Sequence, residues 1–184
     1  MFIHQPQFEF FHPFLEERYY ENLESYVSSR DFKWNWLSHT VSKDHDGYDD
    51  DTFVLGNLVY HEEMKDGFNE VDEVWYPFFE AVQKQFLCKI HRVRCNLYTN
   101  QNKKKFTISH HDVGEQGVGV PSRKFNIIIL NFTTCNGGTK IGSLEVMSKR
   151  NGAVFFNNVH KHCGFVQTDT ERRICANIII YPKE

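Results

Sequence analysis

The stretch Arg172-Arg173-Ile174-Cys175-Ala176-Asn177-Ile178-Ile179-Ile180-Tyr181 decides how this chain folds. Successive side chains of an extended strand point to opposite faces. Arg173, Cys175 and Asn177 therefore share one face. Arg172, Ile174, Ala176, Ile178 and Ile180 share the other. The first face suits a polar pocket, and the second suits a dry interface with helices. This alternation favours Arg173 over Arg172 as a pocket arginine.

Upstream, the texture stays that of strands. Residues 152–158 read as one, and residues 124–132 contain Ile127-Ile128-Ile129-Leu130, a run suited to a strand buried on both faces. Residues 89–98 alternate, with His91, Val93, Cys95 and Leu97 on one face and Arg92, Arg94, Asn96 and Tyr98 on the other. Residues 106–112 form a short strand candidate, and Gly137-Gly138 marks a turn.

The first half reads as helical. Leu15, Tyr19, Leu23, Tyr26 and Val27 recur at helical spacing behind Pro13, which suits a first helical turn, and Arg30-Asp31 ends the element. Residues 38–52, rich in Asp, Ser and Gly, read as a surface loop. Val71, Val74, Trp75, Phe78, Val82 and Phe86 predict a second helix within about 69–87, with Pro77 at its start or at a kink. Two helices followed by several short strands predict an α+β, mainly β domain: a sandwich or open barrel with the helices packed on one sheet. The expected organisation is a single domain over 1–184, with 1–87 as helical support and 88–182 as the β core.

Composition bounds the function. The 184 residues suit one core, and an aromatic content of 15%, with 17 Phe, argues for a packed fold. A net charge of -3 gives no global reason to coat nucleic acid or an anionic membrane, although Lys103, Lys104 and Lys105 form a local basic run. No apolar run approaches the roughly 20 residues of a membrane span, and the start lacks the pattern of a signal peptide. An intracellular, cytoplasmic location is expected. The five cysteines are odd in number and lack a C-x-x-C pair, which disfavours a disulfide framework or a Cys-rich zinc module and predicts thiols buried in strands.

Ten histidines make any single one uninformative, but Ile108-Ser109-His110-His111-Asp112 sets a His and an Asp two residues apart. On a strand, His110 and Asp112 point to the same side and His111 points away. A third ligand must come from elsewhere, and Val159-His160-Lys161-His162-Cys163-Gly164 offers His160 and His162. Two His and one carboxylate on one side of a metal make the facial triad suited to non-haem iron(II). Charge then links this group to Arg173. Asp112 cancels one of the two charges of iron(II), a dicarboxylate co-substrate adds two negative charges, and the Arg173 fork supplies the remaining positive one. Asn96 and Tyr98 are placed to donate further hydrogen bonds to it. Arg92 and Arg94 share that face, where reaching an acidic substrate competes with simple solvation. Cys163 as a metal ligand and the lysine run as a substrate clamp are minority readings.

The ordered set His110-x-Asp112, His162, Arg173 resembles the 2-oxoglutarate- and iron(II)-dependent oxygenases, with the prolyl 4-hydroxylase-like branch similar in layout. Arg94-Cys95-Asn96-Leu97-Tyr98 is similar to the strand before the His-x-Asp motif in that family. Asn131-Phe132-Thr133-Thr134-Cys135-Asn136-Gly137-Gly138-Thr139 resembles a turn of small phage- or microbe-encoded members, and Thr168-Asp169-Thr170-Glu171-Arg172-Arg173 with the strand after it resembles their arginine strand. The resemblance covers about residues 88–182 and favours His162 over His160 through its spacing to Arg173. It implies a double-stranded β-helix (jelly-roll, cupin-like). It implies Fe(2+) on His110, Asp112 and His162, with 2-oxoglutarate and O2 as co-substrates and ascorbate as a reductant. The far carboxylate of 2-oxoglutarate would pair with Arg173, supported by Tyr98 and Asn96. The implied reaction is hydroxylation of an unidentified prime substrate, a protein side chain or small molecule rather than nucleic acid, coupled to decarboxylation of 2-oxoglutarate to succinate and CO2. The competing expectations are a catalytically silent cupin-like binding domain and a zinc enzyme on the same ligands. A phage origin with expression in a host fits the resemblance, and the oligomeric state is left open.

Overall fold

The structure is a computed structural model and describes residues 8–37, 53–63, 71–114 and 121–183. The loop expected at 38–52 lies outside these residues. The elements run β1 (Phe8–Phe11), α1 (Glu17–Ser28), β2 (Asn35–Leu37), β3 (Val54–His61), α2 (Tyr76–Phe86), β4 (Cys88–Thr99), β5 (Asn126–Asn131), β6 (Gly138–Ile141), β7 (Leu144–Met147), β8 (Gly152–Asn157), β9 (His162–Phe165) and β10 (Arg172–Pro182). One sheet has the order β1-β8-β5-β10-β4-β3-β2 and the other β7-β6-β9. The strand pairs are antiparallel.

β10 lies at the centre of the larger sheet, with one face apolar against the helices and the other carrying Arg173 and Asn177 into the interior. Ile174, Ala176, Ile178 and Ile180 pack with Tyr20, Leu23 and Val27 of α1 and Phe78 and Val82 of α2. The opposite face sends Cys175 and Ile179 into a second cluster with Ile127, Ile129, Val154 and Phe156, closed by Ile141 and Val166 from the side of the smaller sheet. The helices thus cover the outside of the larger sheet, and the two sheets enclose an interior between them. This is the mainly β, double-stranded β-helix architecture with helices on one sheet.

Several local expectations change. α1 begins at Glu17, after Pro13, because the preceding backbone is tied to the β core: Phe14 N donates to Asn151 O at 2.8 Å and Leu15 N to Asn151 Oδ1 at 3.0 Å. Its buried stripe uses Tyr20, 0% exposed, where Tyr19 was expected; Tyr19 is 45% exposed. Pro77 lies in the first turn of α2, behind a 3-10 turn over Glu73–Trp75, so it marks a start and not a kink. In β4, Val93, Cys95 and Leu97 face the helices as expected. The β4–β10 register shifts between Ile179 and Ile180, however, so Ile90 joins the helix-facing cluster, whereas His91 contacts Glu62, His61 and Phe125. The five cysteines are buried and free.

The strand expected over 106–112 does not form. The segment touches the smaller sheet through isolated bridges, Phe106 to Phe165 and His110 to His162. Each strand of the smaller sheet is only four residues long, and β7 is largely exposed, so neither offers a full period of alternation to read.

Candidate metal centre

β9 and the non-strand segment beside it bring the two histidines together. His110 N donates to His162 O at 2.9 Å and His162 N to His110 O at 3.0 Å. Residues that exchange both backbone bonds sit directly opposite one another, with their side chains on the same side. The two imidazole centroids are accordingly 4.7 Å apart. Asp112 completes the group, with its Oδ2 3.3 Å from His162 Nε2 and its Oδ1 3.8 Å from His110 Nε2. One ligand atom from each residue lies within 4.8 Å of the others.

With no strand to direct it, the Asp112 segment needs other support, and Asn158 provides it. This fully buried side chain accepts from Asp112 N (3.0 Å) and Val113 N (3.2 Å) and donates to Val113 O (2.7 Å) and Ser122 O (3.0 Å). Its four bonds use the whole capacity of an amide side chain. The Asp112 carboxylate itself accepts from Arg92 Nη2 at 2.9 Å and from Asn177 Nδ2 at 3.0 Å. Burial alone would raise the pKa of this carboxyl. The hydrogen bond and charge of His162, with the charges of Arg92 and His110, hold it well below the usual carboxylate range. His110 Nδ1 lies 2.9 Å from Ile108 O, and a carbonyl can only accept, so this nitrogen carries the proton and Nε2 keeps its lone pair on the Asp112 side. Two imidazole nitrogens and one ionised carboxylate are the donor set of a facial triad for iron(II), so the residues present fit that metal.

The same cavity extends from this cluster to Arg173, with Asn96, Tyr98, Thr107, Thr139 and Gly164 along its wall. Arg173 and Asn177 are four positions apart on the strand, about 13 Å between Cα atoms, so the arginine and the Asp112 contact occupy opposite ends. Arg173 is 1% exposed, and its guanidinium lies 5.0 Å from the centroid of the Tyr98 ring. Its hydrogen bond to Thr139 Oγ1 is long, at 3.4 Å, and Nε and Nη1 have no acceptor. No described carboxylate pairs with it. Gly164 makes room at this end: a Cβ there would sit 3.0 Å from the Tyr98 hydroxyl.

All six residues singled out from the sequence, His110, Asp112, His162, Arg173, Tyr98 and Asn96, line this one cavity. The others separate from it. His160 lies in the turn after β8, His111 turns its Nδ1 to Asn158 O, and Arg172 is exposed. Cys163 faces a different groove beside Phe106 and Lys140. Lys104 is engaged by Glu145 at 2.6 Å and by the Phe165 ring. Two contributors were not anticipated. Asn158 had no signal beyond ending a strand, and Asn177 was placed on the pocket face without a task. Arg92 was considered for an acidic substrate but is occupied by Asp112.

No family model matches the chain, and no curated protein does. Solved structures do. A viral collagen prolyl hydroxylase from Paramecium bursaria Chlorella virus-1, determined with 2-oxoglutarate, superposes with a TM-score of 0.60 at 10% identity over 97% of each chain. A prolyl-4-hydroxylase of Pseudomonas putida gives 0.61 at 11% identity, covering 97% of this chain and 94% of its own. The epimerase SnoN, in complex with Fe3+, alpha ketoglutarate and nogalamycin RO, gives 0.58 at 8% identity over 96% and 79%. The chain therefore has the fold of the 2-oxoglutarate and iron(II) oxygenases.

Proposed function

We propose that this chain is an Fe(II)- and 2-oxoglutarate-dependent dioxygenase that hydroxylates a prime substrate while 2-oxoglutarate is oxidatively decarboxylated to succinate and CO2. The observation that carries the reading is Arg173. A cation buried without a counter-charge is costly, and one with two orphaned donors facing a cavity asks for an anion. That anion must reach the His–Asp–His cluster at the other end of the same cavity. A dicarboxylate able to chelate a metal fits both ends.

On this reading His110, Asp112 and His162 hold the iron, which when bound supplies the redox chemistry of O2. The remaining residues act by position. Arg92 and Asn177 keep Asp112 ionised and aimed, and Asn158 fixes the backbone that carries it. Arg173, stacked on Tyr98 and steadied by Thr139, receives the far carboxylate of 2-oxoglutarate through its fork. Asn96 lines the path between the two ends. The apolar packing of Ile127, Ile129 and Phe156 behind the cavity restricts water. A protein side chain or a small molecule is favoured as substrate over nucleic acid, given the net charge of -3. No helix among the described residues is long and apolar enough to cross a membrane.

Anaerobic loading with iron(II), followed by 2-oxoglutarate, tests the reading. A visible charge-transfer band on adding 2-oxoglutarate, and succinate on admitting O2, are expected. An iron-loaded sample that neither binds nor turns over 2-oxoglutarate would be a silent domain. Tight zinc binding with no 2-oxoglutarate response would point to a zinc enzyme.

A further inference from the structure

Arg92, Arg94, Asn96 and Tyr98 share the pocket face of β4, and their order along the strand sets what each can reach. Tyr98 pairs in register with Arg173, at the far end. Arg94 pairs with Asn177, which donates to Asp112, so Arg94 stands level with the metal cluster. Arg92 is committed to Asp112. Arg94 has no hydrogen-bonded or ionic partner among the described residues, and it is half-buried. Burial pushes its guanidinium pKa down, as it does for any cation short of counter-charge.

Arg94 also opens outward. A groove of about 390 Å³ runs over β2 and β3, lined by Leu37, Gly56, Leu58 and His61 and floored by Arg92 and Arg94. These two arginines are common to the groove and the inner cavity, so the groove meets the cavity at its metal end. A Cβ on Gly56 would stand 2.5 Å from Leu37 Cδ1 and 3.3 Å from Arg94 Nη2, so both side chains crowd over this glycine.

Charge names the occupant. This step rests on the oxygenase reading. Arg92, Arg94, Arg173 and iron(II) would bring five positive charges to the cavity; Asp112 and the two carboxylates of 2-oxoglutarate return three. Two positive charges are left, and Arg94 is the one arginine of the three without an assigned anion. We infer that the prime substrate carries an anionic group, a carboxylate or a phosphate, which Arg94 receives at the inner end of this groove and so holds the substrate beside the metal.

The test uses the full chain loaded with manganese(II) and saturated with N-oxalylglycine, a 2-oxoglutarate analogue, which occupies Arg173. Acetate, methyl phosphate and acetamide are then titrated by calorimetry. Saturable binding of acetate or methyl phosphate is expected, and the tighter of the two identifies the group. Binding should weaken at least tenfold for uncharged acetamide and in Arg94→Met, and recover in part in Arg94→Lys. The acetamide comparison needs no variant, so it stands even if Arg94→Met does not fold. Anion binding that is absent, matched by acetamide or unchanged in Arg94→Met overturns the inference alone. Failure of N-oxalylglycine to bind the manganese-loaded wild type overturns the oxygenase reading, and this inference with it.

Discussion

At one end of the cavity, Asp112 is saturated: Arg92, Asn177 and the two histidines surround a single buried carboxylate. At the other end, Arg173 is more deeply buried yet keeps two donors without acceptors. The contrast teaches that the two ends are prepared differently. At the metal end the protein's own hydrogen bonds hold the Asp112 carboxylate before any ligand arrives, although His162 Nδ1 has no partner there. The arginine end is completed only by a ligand, so there the ligand should change stability as well as activity.

Removing a ligand should break the contrast most severely. Asp112→Ala or His162→Ala is expected to abolish iron(II) binding and turnover, measured by metal analysis after gel filtration and by succinate release. Retained stoichiometric iron in either variant would relocate the centre. Arg173→Met comes next. Losing one partner of a buried charge pair costs about 2–5 kcal/mol, so 2-oxoglutarate should bind about 100-fold more weakly while iron binding persists. The same variant sharpens the comparison, because it deletes an uncompensated cation. Its melting temperature without ligand should equal or exceed that of the wild type, and 2-oxoglutarate should no longer raise it. A large drop in the ligand-free melting temperature would mean that Arg173 is already satisfied by the protein. Asn158→Ala tests the prepared end indirectly. Loss of such an outer support typically costs about 10–100-fold in metal affinity, and iron(II) titration should show a loss in that range with 2-oxoglutarate affinity little changed once iron is saturating. The smallest effect is expected for His160→Ala, within about 0.5 kcal/mol of wild-type stability and with unaltered iron affinity. A His160 variant that loses iron would exchange the roles of the two histidines.

The two ends also differ in how much of them the sequence pattern carries. Arg173, Cys175 and Asn177 were legible as a pocket face because β10 is a long, regular strand whose other face is a run of isoleucines buried against α1 and α2. Regular alternation carries side-chain direction with it. The metal end lacked this support. His110 and Asp112 were paired by assuming a strand that does not exist; they converge because of a backbone bridge to His162 and the four bonds of Asn158. The misplaced tyrosine in α1 and the displaced His91 share a cause. One residue of phase, set by the tie to Asn151 and by a register shift in β4, reverses which side chain faces the core.

By itself, then, the sequence determined the mainly β class, the helices on one sheet and the inward face of β10 and most of β4. These follow from periodicity, a local property that needs only a few consecutive residues to be expressed. It also supplied the residue types for a metal and for a dicarboxylate. Tertiary structure alone decided that the backbone of His162, which spacing to Arg173 had favoured over His160, pairs with His110, that Arg92 goes to Asp112 while Arg94 has no partner among the described residues, and that Asn158 holds the ligand segment. Each of these is a pairing between segments far apart in the chain, and such pairings are set by register and burial, which no local pattern records.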